Sequence, residues 1–374
     1  MTTERVRAIA FYLPQFHPIP ENDAWWGNGF TEWTNVTKAR PLFKGHYQPH
    51  LPADLGFYDL RLPEAREAQA ALAREYGIHG FCYYHYWFNG QRLLERPFNE
   101  VLASGKPDFP FCLCWANENW TRRWDGEEQE ILQAQNYGDE DDLNHIRWLA
   151  AAFRDPRYIR VQNRPLFLVY RLSLLPNPAR TVELWRDEAR RIGVGELFLC
   201  NVESFCNEHG MVAKAGLDAA VEFAPDWSTL VPVQEANWLT RKLMVRPRLR
   251  RVFERAGLAK ACRAEHRLYS YERLAANMQA KAAVPYRRFP GVTPSFDNCA
   301  RRQARAAIIQ GSTPELYQRW LAAVVRRVQP LPEDERVVFV NAWNEWGEGN
   351  HLEPCQRWGH AYLEATRAAL FATP

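Results

Sequence analysis

Residues 337–354, VVFVNAWNEWGEGNHLEP, are the stretch around which the chain is organised. Val337, Val338, Phe339 and Val340 form a short continuous apolar run, the pattern of a strand covered on both faces. Polar and aromatic residues then take over at Asn341, Trp343, Asn344, Glu345, Trp346 and Glu348, and Gly347 and Gly349 let the backbone turn. One buried strand therefore ends by presenting two carboxylates, three residues apart, between indole rings. Two acids beside flat aromatic faces are the minimal equipment for work on a glycosidic bond, where one carboxyl is protonated while its partner is ionised. The bland alternative, solvated loop acids beside core tryptophans, is weighed by what the other strands carry.

The same pattern recurs along the chain. Apolar runs at 6–12, 78–84, 109–115, 165–170, 197–202, 219–223 and 289–294 each break into polar or aromatic residues. The first leads to Pro14, Gln15, Phe16 and His17, then to a long aromatic loop holding Trp26, Glu32 and Trp33. The second ends in Tyr83, Tyr84, His85, Tyr86 and Trp87, and the third in Asn117, Glu118, Asn119 and Trp120. Arg171, Glu203, Glu222 and Asp297 close the next four. Helical patterns at 63–76, 141–153, 179–192, 314–328 and 360–371 fall between or after these runs. Eight strands spaced by helices predict an α/β fold, a (β/α)8 TIM barrel with long loops at its C-terminal face, the face where such barrels hold their active sites.

At 374 residues the chain is long enough for more than one domain, yet one barrel accounts for residues 1–374. Hydrophobic residues at 47% and charged residues at 24% suit a globular chain with a large core. The 15 Trp, 15 Tyr and 20 Phe, many at predicted strand ends, suit a ring-stacking cleft. No apolar leader opens the sequence, and no run is long enough to span a membrane, which predicts a cytoplasmic protein, either free or peripheral to the membrane, or a periplasmic one if a leader was removed. The cysteines form no C-x-x-C, which argues against a zinc or redox site. One segment departs from the rest: 237–288 is a basic helical insertion between strands six and seven. Its residues 241–288 carry fourteen Arg or Lys against Glu254, Glu265 and Glu272, a formal +11 in a chain whose total is +3. Such a face is either simply solvated or docks something anionic, a lipid carrier or a membrane surface; no nucleic-acid module accompanies it.

Trp343-Asn344-Glu345-Trp346-Gly347-Glu348-Gly349 with Leu352-Glu353-Pro354 resembles the N-E-W-x-E-G…I-E-P signature of family 99 glycoside hydrolases. FYLPQFHPIPENDAWWGNGFTEW at 11–33 and the tyrosine-rich second strand resemble the WbsX-type branch, which is associated with bacterial polysaccharides. The resemblance implies a (β/α)8 barrel acting on α-linked mannose in a surface polysaccharide such as O-antigen or lipopolysaccharide, with retention. It implies that Glu345 acts as base on the sugar 2-hydroxyl, which closes a 1,2-anhydro ring, and that Glu348 is the acid/base. Gly347 departs from the pattern, since the family usually has His there. Tyr12, His17, Tyr84, His85, Trp115, Asn117, Glu118, Trp343, Asn344, Trp346 and Glu353 are the candidate sugar-binding residues, with an oligosaccharide or polysaccharide as substrate and no metal, nucleotide or other cofactor. A glycosyltransferase or transglycosylase is the competing function. It lacks support from a Gly-rich phosphate loop, because no G-x-G-x-x-G or P-loop occurs.

Overall fold

The computed structural model describes residues 6–122, 127–233, 266–302 and 305–372. Eight parallel strands form its centre: β1 Arg7–Tyr12, β2 Ile78–Phe88, β3 Phe111–Trp115, β4 Arg164–Val169, β5 Phe198–Glu203, β6 Ala219–Glu222, β7 in two parts, Arg287–Phe289 and Gly291–Val292, and β8 Val337–Val340. Each pairs in parallel with its neighbours, and β8 pairs with β1, so the ring closes as a (β/α)8 barrel.

Closure runs through β7, which is broken at Pro290 because proline has no N–H for the ladder. The half before it pairs with β6 and the half after it with β8. The Pro290 carbonyl still accepts from the Phe339 N–H at 2.9 Å. Gly291 follows because a Cβ there would stand 1.9 Å from the Glu222 carbonyl oxygen. The strand expected at 289–294 therefore begins two residues earlier and ends sooner. β2 runs past its expected end to Phe88 and folds back on Gln91–Leu93, since its aromatic tail finds a second, antiparallel partner.

Helices Pro63–Glu75, Asp139–Phe153, Pro178–Arg191, Pro314–Val328 and Ala361–Phe371 follow the predicted spans within two residues. Three start with proline at the first turn, where no N–H partner is lost. Inside the barrel, Phe11 packs on Phe339 and Phe223 with ring centres 5.5 and 5.6 Å apart. On the helix-facing side of β2, Phe81 packs on Trp343 at 5.2 Å.

Of the basic insertion expected at 237–288, residues 237–265 lie outside the described residues. The remainder is not purely helical. Arg267–Ser270 joins Ala307–Gln310 and Phe296–Asp297 in a small separate sheet before helix Tyr271–Gln279 returns the chain to β7.

Candidate active site

Beyond β8 the chain makes a hairpin. Asn344–Glu345 pairs with Asn350–His351, and a 3-10 turn at Trp346–Glu348 joins them, ended by Gly349 at φ 54°. Side chains three apart eclipse in such a turn, so Glu345 and Glu348 emerge on the same side. The hairpin is held from below. Asn344 accepts from the Leu13 N–H at 2.7 Å and donates to the Leu13 carbonyl at 3.0 Å, tying it to the end of β1. The buried Glu353 carboxylate accepts from Trp346 Nε1 (2.6 Å), Gln69 Nε2 (2.6 Å) and the Tyr58 hydroxyl (2.8 Å). Burial pushes its carboxyl up to about 7. Tyr12 completes the network by donating to Gln69 at 2.6 Å.

Above the hairpin opens a cavity of about 570 Å³, within the range of small-ligand sites. Each of the eight strand ends contributes to its wall, through Leu13, Tyr84, Glu118, Arg171, Phe205, Trp227, Asn298 and Glu345 in chain order. Both acids of the hairpin line it, as do Arg301 and the indoles of Trp26, Trp120 and Trp227.

Both acids of the hairpin meet on one of the guanidiniums that line this cavity. Arg301 places Nη2 2.7 Å from Glu345, Nη1 2.8 Å from Glu348 and Nε 2.8 Å from Glu32. Glu32 is fully buried and does not border the cavity. Burial pushes Glu345 up, to about 8; Arg301 opposes that shift, and Glu348 and Glu32 add to it. Tyr84 and Tyr86 face Glu345, and burial raises both hydroxyls, which keeps them protonated as hydrogen-bond donors. The arrangement can hold one proton between two cavity-facing carboxylates, which is what acid/base chemistry at a sugar needs.

The thirteen residues singled out from sequence divide sharply. Glu345, Glu348, Tyr84 and Glu118 line the cavity, Glu118 being held by Arg171 at 2.6 Å. The other nine do not border it. Trp343 is fully buried against Phe81. Trp346 is buried too, stacked on His351 with centroids 3.7 Å apart. The indoles that border the cavity are instead those of Trp26, Trp120 and Trp227. Tyr12, Asn344 and Glu353 belong to the network beneath. His17 bonds the Pro14 carbonyl at 3.0 Å, His85 pairs with His145 at 3.0 Å, and Trp115 bonds the Trp87 carbonyl at 3.1 Å. Asn117 clasps the backbone of Arg171 through both side-chain atoms.

Glu203, Glu222 and Asp297 hold basic partners and do not line the cavity. His46, Asp297 and Cys299 form the group of metal-ligand type found among the described residues. His46 Nδ1 accepts from the Leu42 N–H at 2.9 Å, so its proton lies on Nε2, directed at Asp297 2.5 Å away. That nitrogen is already used, and none of the three borders the cavity. Sequence reading missed Arg301 altogether. Nothing in N-C-A-R-R marks the one arginine that folds back under the hairpin.

The family model described as glycosyltransferase WbsX matches residues 8–366. Two proteins described as uncharacterized protein WxcX, from Xanthomonas campestris pv. campestris strains B100 and ATCC 33913, are each 46% identical over 367 residues, covering 98% of this chain and 50% of their own length. The chain spans about half the length of these curated relatives. Among solved structures, the GH99 endo-alpha-mannosidase of Bacteroides thetaiotaomicron bound to bis-tris-propane aligns with TM-score 0.56 at 13% identity, over 97% of this chain and 96% of that one. A glycoside hydrolase-like protein aligns with TM-score 0.60 at 14% identity, over 100% and 96%. These two likenesses concern the fold.

Proposed function

The chain belongs to the WbsX family, and from that premise we propose that it is a glycan-processing enzyme: a retaining glycoside hydrolase, endo-acting on an α-linked mannose-type bacterial surface polysaccharide. The observation that carries this reading is the placement of Glu345 and Glu348 on one guanidinium, at the floor of a cavity walled by all eight strand ends. The structural neighbour that is an endo-alpha-mannosidase suggests the substrate class.

In this reading Glu345 takes the proton of the sugar 2-hydroxyl as that oxygen closes on its own anomeric carbon, and Glu348 protonates the departing oxygen. Water then opens the strained ring with Glu348 taking its proton while Glu345 returns the first proton to O2, and configuration is retained. Burial makes Glu345 a stronger proton acceptor once ionised, which a weakly acidic hydroxyl requires. The single shared proton belongs to the pair, and the productive form has it on Glu348. Trp26, Trp120 and Trp227 offer apolar faces to pyranose C–H groups, while Arg171 and Glu118 offer hydrogen bonds to hydroxyls.

The family description favours a second reading, glycosyl transfer in polysaccharide assembly, with the basic segment at 237–288 holding an anionic lipid carrier. Incubating the protein with mannose-containing polysaccharides, with and without sugar nucleotides, separates the two. Shortened chains with α-configured new ends are expected from the nucleotide-free sample. Extension that depends on a sugar nucleotide would replace the hydrolase with a transferase. Binding without turnover would reduce the protein to a lectin-like module.

A further inference from the structure

We infer that Arg301, braced from behind by Glu32, is the positioning residue of the Glu345–Glu348 pair, and that residue 347 is glycine because Glu32 reaches Arg301 through the space a side chain would fill. The inference rests on the reading of that pair as catalytic. A Cβ at Gly347 would stand 1.8 Å from Glu32 Oε1 and 2.9 Å from Arg301 Nε. No side chain fits unless Glu32 lets go. The departure from the family signature at this position and the Glu32–Arg301 contact are therefore one structural feature seen from two sides.

The guanidinium suits this role as no other side chain does. It is planar and permanently charged, and its donors diverge in a fixed fork, so three carboxylates on three nitrogens also fix the angles between them. A lysine at the same place would supply the charge without the fork. Glu32 is fully buried and does not border the cavity; its Oε2 has no hydrogen-bond partner among the described residues. A buried carboxylate left half satisfied is costly, and here its observed contact is with the arginine.

Among the described residues three carboxylates contact this guanidinium, and burial pushes Glu345 up to about 8, so the cluster retains a proton. Among the described residues the groups facing Glu345 are Arg301 from the loop after Asp297, Glu348 on its own hairpin, Glu32 from the first turn of helix Glu32–Lys38, and Tyr84 and Tyr86 from β2. Arg301 and Glu32 act on that proton in opposite senses. Arg301 favours its loss, and Glu32 favours its retention.

The test follows the Glu345 proton directly, so it does not depend on an assay. Glutamate is labelled with carbon-13 at the carboxyl, and the Glu345 titration midpoint, assigned by its absence in Glu345→Gln, is read by NMR. Glu32→Gln is expected to lower the midpoint by about one pH unit and Arg301→Gln to raise it by about one unit or more. Gly347→Ala is expected to move it in the same direction as Glu32→Gln, by forcing that carboxylate off the arginine. Arg301→Lys is expected to lower kcat at least tenfold with KM little changed. Midpoints that do not split in opposite directions overturn the inference whatever the turnover. Should Arg301→Gln not fold, an unmoved midpoint in both Glu32→Gln and Gly347→Ala overturns it equally. Split midpoints in a protein that cleaves no glycan would retain the positioning role and discard the hydrolase.

Discussion

Two buried acidic clusters sit at the strand ends of this barrel, and they are built in opposite ways. Glu203 and Glu222 close β5 and β6 beside two arginines: Arg288 lies 3.0 Å from Glu222 and 3.7 Å from Glu203, and Arg327 lies 3.0 Å from Glu222. Tyr286 donates to Glu203 at 2.6 Å. Positive and negative charges match, and neither acid lines the cavity. Across the barrel, Glu32, Glu345 and Glu348 crowd one guanidinium, and two of the three open to the cavity. A matched cluster closed off from the cavity serves as a fastening. A cluster short of positive charge, open on one side, keeps a proton it can give and take. The difference separates acids that hold the barrel together from acids equipped for chemistry.

The comparison can be broken at several points. Glu345→Gln and Glu348→Gln should each lower turnover of a mannose-containing polysaccharide by about 10²–10⁴-fold, with thermal melting nearly unchanged. Near-normal rates in either variant would remove that acid from the chemistry. Glu222→Ala should do the reverse: roughly 3 kcal/mol of stability lost in chemical denaturation, because the largely buried Arg288 loses its partner, and turnover per folded molecule preserved. A folded Glu222 variant without turnover would erase the distinction between the clusters.

Two pH experiments sharpen it. His351, stacked under Trp346 in the hairpin, is held down to about 3 by burial. Its folded value lies below the unfolded one of about 6.5, so its contribution to stability is present above pH 6.5 and is lost as pH falls toward 3. Between pH 7 and 5 this amounts to about 2 kcal/mol, and His351→Gln should flatten the measured pH dependence of unfolding by that much. At the other end, turnover should decline by about tenfold per unit above pH 8, as the pair loses the proton that burial raises to about 8 on Glu345. A rate that stays level to pH 9.5 would mean the shared proton plays no part.

Much of the fold was legible because a buried parallel strand must be apolar along its whole length and its end must then turn polar. VVFV before NAWNEWGE and FCLCW before ANEN announce strands and their ligand-facing ends without any contact being known. The break in β7 was less legible, since a proline inside an apolar run reads as a stop, whereas here its two flanks pair with different neighbours. The site divided in the same way. Glu345 and Glu348 could be chosen because their spacing places them on one side of a short turn. Trp343 and Trp346 in the same motif were read as sugar platforms, and they serve as core, because adjacent positions in a tight hairpin point in opposite directions and composition does not say which faces the cavity.

The amino-acid order alone therefore determined the barrel, the end of it at which the cavity opens, and the two acids presented there, all of which follow from local pattern and short-range geometry. What only the tertiary structure decided is the company those acids keep. Arg301 and Glu32 are separated by 269 positions along the chain and meet through the gap left by Gly347. A contact of that kind is set by how loops from different strands close over one another, and no periodicity or spacing in the sequence records it.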